Sequence, residues 1–349
     1  MKSIAYKFVQ VALTKIDSED RLTDFSLLAG GADYSRRAAR SGLSSSSSRS
    51  STLDSLQDSI DVIGILHPVV LMKSGDGYKI ICGHRRVAIG QTLGQIEIPA
   101  RVTESDLDPE TLLALNLMEN RAHRSYSDIE KGRILHKLVQ AGVNEEMIIG
   151  KYMPIVGLER SKKLFQEFSR VADFATGLQL LLHEMNVPAR VFCSLLKWSA
   201  PSQNIALKIF AALRPGVNKW RELIELAEEI AVIEKTSPGE ILARAEIQTL
   251  IAQNGLEKHE KYDRVVQLLT PLRYPVLHDL RMKIARLIDQ LSLGSRSKIR
   301  VHESFETDEI KIEIKGRDRK ALIEEVERLE NAVKSPAMEE LLRLLKRLE

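Results

Sequence analysis

Near residue 125 the hydrophobic period of the chain changes, and that switch divides a small mixed α/β part from the helical part that follows. Before the switch the pieces are short and alternate in type. Residues 6–12 are rich in β-formers and predict a strand. Residues 53–63 place Leu53, Leu56, Ile60 and Ile63 at helical spacing, and Gly64 closes them as a C-cap does. Residues 69–72 and 78–82 are extended around Ser74-Gly75-Asp76-Gly77, a turn by composition, and predict a hairpin. A helix over 84–93 ends at Gly94, a strand covers 96–102, and a helix covers 107–117. Residues 29–52 are different. They hold Gly30-Gly31, Arg36, Arg37, Arg40 and a serine tract from Ser44 to Ser48, which cannot bury enough apolar surface to offset ordering entropy. They predict a flexible insertion, or a basic arm on phosphate.

After the switch, Ser127-Asp128-Ile129-Glu130 forms a capping box that opens a helix running to Ala141. A second helix follows Asn144 and is expected to break over 154–157, and a third covers 158–171. Further helices are predicted over 176–185, 188–196, 203–213 and 220–234. The tail changes again. Residues 298–302 and 309–314 alternate about a loop with Glu306, Thr307 and Asp308, a hairpin pattern. Two amphipathic helices follow, over 319–333 and 336–348, the last with a stripe of Leu341, Leu342, Leu344, Leu345 and Leu348. The fold class is therefore α+β: a mixed domain over 1–125, a helical domain over 126–270 and a small ββαα module over 271–349, packed on its own domain or on a second subunit.

Bulk composition excludes some classes. Of 349 residues, 44% are hydrophobic and 28% charged, enough for packed cores. A net charge of +3 does not point to nucleic acid, so any such partner must meet local patches. Two cysteines and scattered histidines suit neither a disulfide framework nor a zinc site, and no run approaches a membrane span, so a cytoplasmic protein is expected.

The strongest local signal is Tyr78-Lys79-Ile80-Ile81-Cys82-Gly83-His84-Arg85-Arg86. A strand passes through a glycine into a helix that starts with two arginines. The first helical turn has unpaired N–H groups and partial positive charge, and guanidinium forks match phosphate oxygens. Basic residues there oppose the helix dipole, so as pure structure they are unfavourable. The competing reading is a solvated basic helix start.

At these residues the chain resembles the ParB/sulfiredoxin-like family, whose N-terminal domains carry a Gly-Glu-Arg-Arg box at a helix start. Here it stands as Gly83-His84-Arg85-Arg86. The preceding family segment stands as Ser59-Ile60, Gly64-Ile65 and Pro68-Val69. The third box stands as Glu119-Asn120, with Glu130 eleven residues after Glu119. The three boxes cover about residues 53–135. The resemblance implies a site for CTP and magnesium. Gly64, His67, Pro68, Gly83, His84, Arg85, Arg86, Asn120 and Arg121 would hold the nucleotide, and Glu119 and Asn120 the metal. Two positions depart from the family pattern: His84 replaces its glutamate, and His123 stands where an arginine is usual. His84 counts against hydrolysis; a CTPase, if present, would have Glu119 as its candidate catalytic residue. Sulfiredoxin needs a cysteine directly before the His-Arg pair. That position is Gly83, and strand alternation turns Cys82 toward the core.

The residues over 144–171 read as a helix-turn-helix or as an ordinary helical hairpin with a basic face. In the first reading Arg160, Ser161, Lys162, Lys163, Gln166 and Arg170 face DNA. The resemblance favours it, because partition proteins place this motif after the third box. It implies a nucleotide-switched, sequence-specific DNA-binding homodimer, cytoplasmic and nucleoid-associated, working in segregation with a partition ATPase and without a membrane. A transcription regulator, a kinase or nuclease-like enzyme on the same scaffold, and an interaction module that lost its ligand are the competing classes.

Overall fold

A computed structural model describes residues 4–27, 50–121, 124–294, 296–302 and 309–346. The chain divides into two compact units, Met1–Val266 and Gln267–Glu349.

The first unit begins with a five-stranded sheet in the order β1-β5-β3-β4-β2. The strands are β1 Lys7–Ala12, β2 Ile16–Asp17, β3 Val69–Ser74, β4 Gly77–Cys82 and β5 Glu97–Thr103. The expected hairpin forms: β3 and β4 are antiparallel, with Ser74 opposite Gly77 and Leu71 opposite Ile80. Strand β5 then runs parallel to β3 and antiparallel to β1. Alternation sorts the core along β3, and the register shift at Val70 and Leu71 places the adjacent Ile81 and Cys82 on one face. Val69, Leu71, Ile80 and Val102 pack on one face with Val87 of helix α2, His84–Thr92. Val70, Met72, Ile81 and Cys82 pack on the other with Leu112 of helix α3, Pro109–Asn120. Each fully buried aliphatic side chain contributes about 1.5–3 kcal/mol. A sheet covered on both faces explains why β3 and β4 read as apolar runs.

Helix α1, Ser50–Ile63, starts three residues earlier than its apolar spacing indicated, inside the expected insertion. The rest of that insertion, residues 29–49, lies outside the described residues, as do His123 and the loop at Glu306, Thr307 and Asp308. Helix α3 also extends beyond its expected end. Asp108 caps it by accepting from Thr111 N at 3.0 Å, and Pro109 takes the first helical position, where no N–H is needed.

The capping box opens α4, Asp128–Gln140: Ser127 N donates to Glu130 Oε2 at 3.0 Å and Glu130 N to Ser127 Oγ at 3.3 Å. The next helix, α5 (residues 145–155), takes Pro154 into its last turn and ends at Ile155, inside the break expected over 154–157. It runs Glu145–Met147, widens into a π turn over Ile148–Tyr152, and continues as Met153–Ile155. Proline removes one N–H from the helical ladder, and the wider turn absorbs that loss. Helix α6 is shorter than expected, Lys162–Ser169, with a 3-10 turn over Arg170–Asp173. Residues 158–161 are therefore not helical: Ser161 is the cap, accepting from Leu164 N at 3.3 Å. Seven helices follow: α7 Thr176–Glu184, α8 Ala189–Phe192, α9 Ala200–Leu213, α10 Val217–Glu234, α11 Pro238–Leu242, α12 Ala245–Ala252 and α13 Lys258–Arg273.

The second unit holds α14 Pro275–Gln290, the antiparallel pair β6 Ser297–Val301 and β7 Ile310–Ile314, α15 Arg319–Val333 and α16 Pro336–Lys346. Helix α14 adds to the expected ββαα order. Ile284, Leu287, Ile299, Leu341 and Leu345 form its core. The leucine stripe of α16 splits, since Leu341 and Leu345 are buried while Leu342 is exposed. Among the described residues no helix is long and apolar enough to cross a membrane.

Candidate functional site

The turn from β4 into α2 depends on Gly83. Its φ is +107°, and a β-carbon there would lie 2.8 Å from Val69 Cγ1. Only glycine fits a left-handed residue pressed against a neighbouring strand. The first turn of α2 carries no acidic side chain, and Gly83 offers no side-chain cap. Positive partial charge from the free N–H groups thus adds to Arg85 and Arg86.

Arg86 is where the three sequence boxes meet. Its Nη1 donates to the carbonyl oxygens of His67 and of Pro68, the latter at 3.0 Å, and its Nη2 lies 4.0 Å from Glu119 Oε1. The segments around 67–68, 83–86 and 119 are brought to one guanidinium. Arg85 is half-buried; burial lowers its pKa, the Arg124 charge acts in the same direction, and Glu130 opposes both. Arg124 is itself paired with Glu130 at 2.6 Å. Arg85, Arg86 and Arg124 are thus gathered beside Glu119 and Glu130.

His84 turns inward. It is buried, and its Nε2 lies 2.8 Å from Thr23 Oγ1, which donates to the Ile80 carbonyl at 2.6 Å. The hydroxyl proton is committed to Ile80, so Nε2 carries the proton and donates to Thr23. Nδ1 is then a neutral acceptor, buried without a partner among the described residues. Burial pushes the His84 pKa down to about 4, against the smaller upward pull of Asp24. The family glutamate position thus holds a neutral ring. Cys82 is buried beside it, and burial pushes its thiol pKa up, which removes thiolate chemistry.

Sequence reasoning missed two residues that hold this arrangement. Asn116 Nδ2 donates to the Thr23 carbonyl at 3.1 Å and the Ile81 carbonyl at 2.6 Å. Asn120 Nδ2 donates to Asn116 O and Oδ1, each at 2.8 Å. An asparagine one turn before the box residue, inside an apolar helix, is a readable signal for Asn116. Thr23 has none, because its role depends on a contact 61 positions away in the chain. Gly64 follows α1, donating to Ile60 O at 2.9 Å, and Arg121 is exposed just past α3.

The six residues expected on DNA divide. Lys162, Lys163 and Gln166 are exposed along α6, the lysines 3.3 Å from Glu145 and 4.0 Å from Glu167. Exposed pairs of this kind are weak and exchange readily for phosphate. Ser161 serves as the cap. Arg160 Nε donates to the Gly150 carbonyl at 3.0 Å, four residues before Pro154, where the proline leaves an acceptor open. Arg170 Nη2 donates to Leu196 O at 3.1 Å. Ser127 Oγ and His183 Nδ1 lie 2.7 Å apart near Glu130, but all three are buried and the serine serves the α4 cap, so the trio is structural.

Residues 43–121 match the family model of the ParB N-terminal domain. The chain is 34% identical over 97 residues to the chromosome-partitioning protein Spo0J of Thermus thermophilus, covering 28% of this chain and 35% of that protein. It is 34% identical over 110 residues to the chromosome-partitioning protein ParB of Myxococcus xanthus, covering 31% and 35%. The matches to these two curated relatives thus span about a third of their length. A longer match, 26% identical over 265 residues, covers 73% of this chain and 82% of a probable plasmid-partitioning protein ParB of Thermus thermophilus. A solved structure of truncated ParB from Caulobacter crescentus complexed with CTP-gamma-S aligns at a TM-score of 0.23 and 17% identity, over 58% of this chain and 98% of that chain. A likeness that low carries no argument.

Proposed function

Because the chain belongs to the ParB-type family of partition proteins, we propose that it is a DNA-binding partition protein switched by a nucleotide bound at the Gly83–Arg86 turn. The convergence of three separate boxes on Arg86 carries this reading. A side chain that merely decorated a basic helix start would have no reason to gather residues 67–68 and 119 around it.

In this proposal Arg85 and Arg86 hold the phosphates with the free N–H groups of α2, and Gly64, His67, Pro68, Asn120 and Arg121 line the nucleotide, CTP. Magnesium fits the residues present: it is normally held by one or two carboxylates plus phosphate oxygens. Glu119 supplies a half-exposed carboxylate, and Asn120, whose amide N–H groups face Asn116, keeps its oxygen for the ion. Among the described residues no group of three metal-ligating side chains exists, so the ion would arrive with the nucleotide. Residues 1–125 would bind nucleotide, 126–270 DNA and 271–349 a second copy. Lys162, Lys163 and Gln166 would face the DNA, with Arg160, Ser161 and Arg170 setting the shape of the turn. The dimer is supported by α15, where Leu322, Val326 and Val333 are exposed at seam spacing with Leu329 while Glu325 is buried.

Calorimetric titration with CTP, ATP and GTP, each with magnesium, tests the reading. Selective CTP binding is expected. No binding of any nucleotide, with or without DNA, would leave a helix-turn-helix DNA binder with a lost ligand site.

A further inference from the structure

Helix α4 reaches back to the sheet layer through one side chain. Lys137 Nζ donates to three backbone carbonyls of the loop after β2: that of Arg21, that of Leu22 at 3.0 Å and that of Asp24 at 2.8 Å. An ammonium has three protons, and here each has a carbonyl. Its flank is the Phe25 ring, 5.9 Å away. Lysines on helices ordinarily reach solvent; this one is largely enclosed, and burial pushes its pKa down to about 8.

The clamped loop carries Thr23 at its centre. Thr23 receives the His84 proton through its hydroxyl, and its carbonyl accepts from Asn116. The first residue of α2 is therefore set by a chain of contacts that starts in the helical layer. We propose that Lys137 is a positioning residue for the anion site: by fixing the carbonyls of Arg21, Leu22 and Asp24 it sets Thr23, and through Thr23 the tautomer and placement of His84. Only the final step, an effect on ligand, rests on the nucleotide reading above. Asp24 and Asp20 face the ammonium with opposite charge, and Arg133 and Arg21 with like charge. Charges of both signs thus surround the clamp, and its geometry rests on the three carbonyls. Helix α4 also packs against α6, so the same helix that bears the clamp supports the candidate DNA helix.

The test uses the full chain without ligand. Lys137→Met keeps the length of the side chain and removes all three donors; Thr23→Val removes the hydroxyl at constant shape. Imidazole nitrogen spectra, with His84 assigned by a His84→Gln difference, read its tautomer. Both variants should turn a single Nε2–H tautomer into a mixture, and Lys137→Met, which removes a like charge, should also raise the His84 pKa toward its ordinary value. Lys137→Met should also weaken CTP binding by about tenfold, the effect of one lost hydrogen bond. A folded Lys137→Met with an unchanged His84 spectrum overturns the proposal. If Lys137→Met does not fold, an unchanged spectrum in Thr23→Val overturns it by breaking the last link. If the wild type binds no nucleotide, the functional reading fails while the spectra still decide the clamp.

Discussion

A β-carbon on Gly132 would lie 2.6 Å from the Phe168 carbonyl oxygen, and 2.6 Å from Val171 Cβ. Helix α4 therefore passes α6 and its 3-10 extension so closely that only a hydrogen fits between them. Both groups that block a side chain are backbone or core, so neither can swing aside. Gly132→Ala should lower stability by about 1–3 kcal/mol, the usual cost of overpacking. Gly150→Ala has nothing within 4 Å of the new carbon and serves as the control. Thermal melts of the two proteins check this; equal melting temperatures would mean the helices part without penalty.

Arg85 and Arg86 should separate in mutation. Arg85→Ala is expected to abolish nucleotide binding and leave basal DNA binding. Arg86→Ala should do the same and also destabilise the fold, by about 1–3 kcal/mol, because the carbonyls of His67 and Pro68 lose a shared donor. Calorimetry with denaturant unfolding distinguishes them. Loss of DNA binding in Arg85→Ala, in step with nucleotide loss, would refute the division of labour.

On α6 the exposed and the tethered cations should behave differently. Lys162→Ala should weaken DNA binding for all sequences and reduce the slope of log affinity against log salt by about one unit. Arg160→Ala should change stability more than slope, since its Nε is held by the Gly150 carbonyl. Binding titrations at several salt concentrations decide. A full unit of slope lost with Arg160 would show that it leaves Gly150 for phosphate.

His84 gives a pH dependence with a definite sign. Its pKa falls from the ordinary 6.5 to about 4 on folding, so the unfolded chain binds more protons between those values. The associated stability is complete above pH 6.5 and is lost as pH falls toward 4, in all roughly 3 kcal/mol. Urea unfolding of wild type and His84→Gln should converge as the pH is lowered over that range. A constant difference would mean the ring titrates normally.

The exposed seam of α15 predicts assembly. Val326→Asp places a charge at its centre and should convert a dimer to monomers, read as a halved mass in sedimentation. A wild-type protein that is already monomeric at micromolar concentration would remove the second copy from the proposal.

The sheet and helix α2 were legible because alternation and Gly83 leave few choices; of the box residues, those at 67–68 and 119 lie around Arg86, while His84 turns inward to Thr23. The break expected over 154–157 falls after Ile155, but the π turn before it was not legible, being a tertiary accommodation that local propensity does not encode. For the same reason the sequence does not show that Arg160, Ser161 and Arg170 each have a backbone partner or a capping duty. Composition alone marked the basic residues. Which of them stay available was decided by carbonyls left open elsewhere, and those are invisible until the chain is folded. The helices between residues 238 and 290 were not individually read, because several are short and begin at residues such as Pro238 and Pro275 that mark turns as readily as first helical positions.

The two carbonyls that hold Arg86 have one more consequence. A free arginine side chain carries roughly 2 kcal/mol of rotamer freedom, which a ligand must ordinarily freeze. Here that freedom is lost when the protein folds, before any anion arrives. Nη1 serves as the hinge pin, and the rest of the guanidinium stands at a fixed orientation. Capture of a phosphate by such a group should be fast and enthalpy-led, with little of the ordering cost that a flexible lysine in its place would impose.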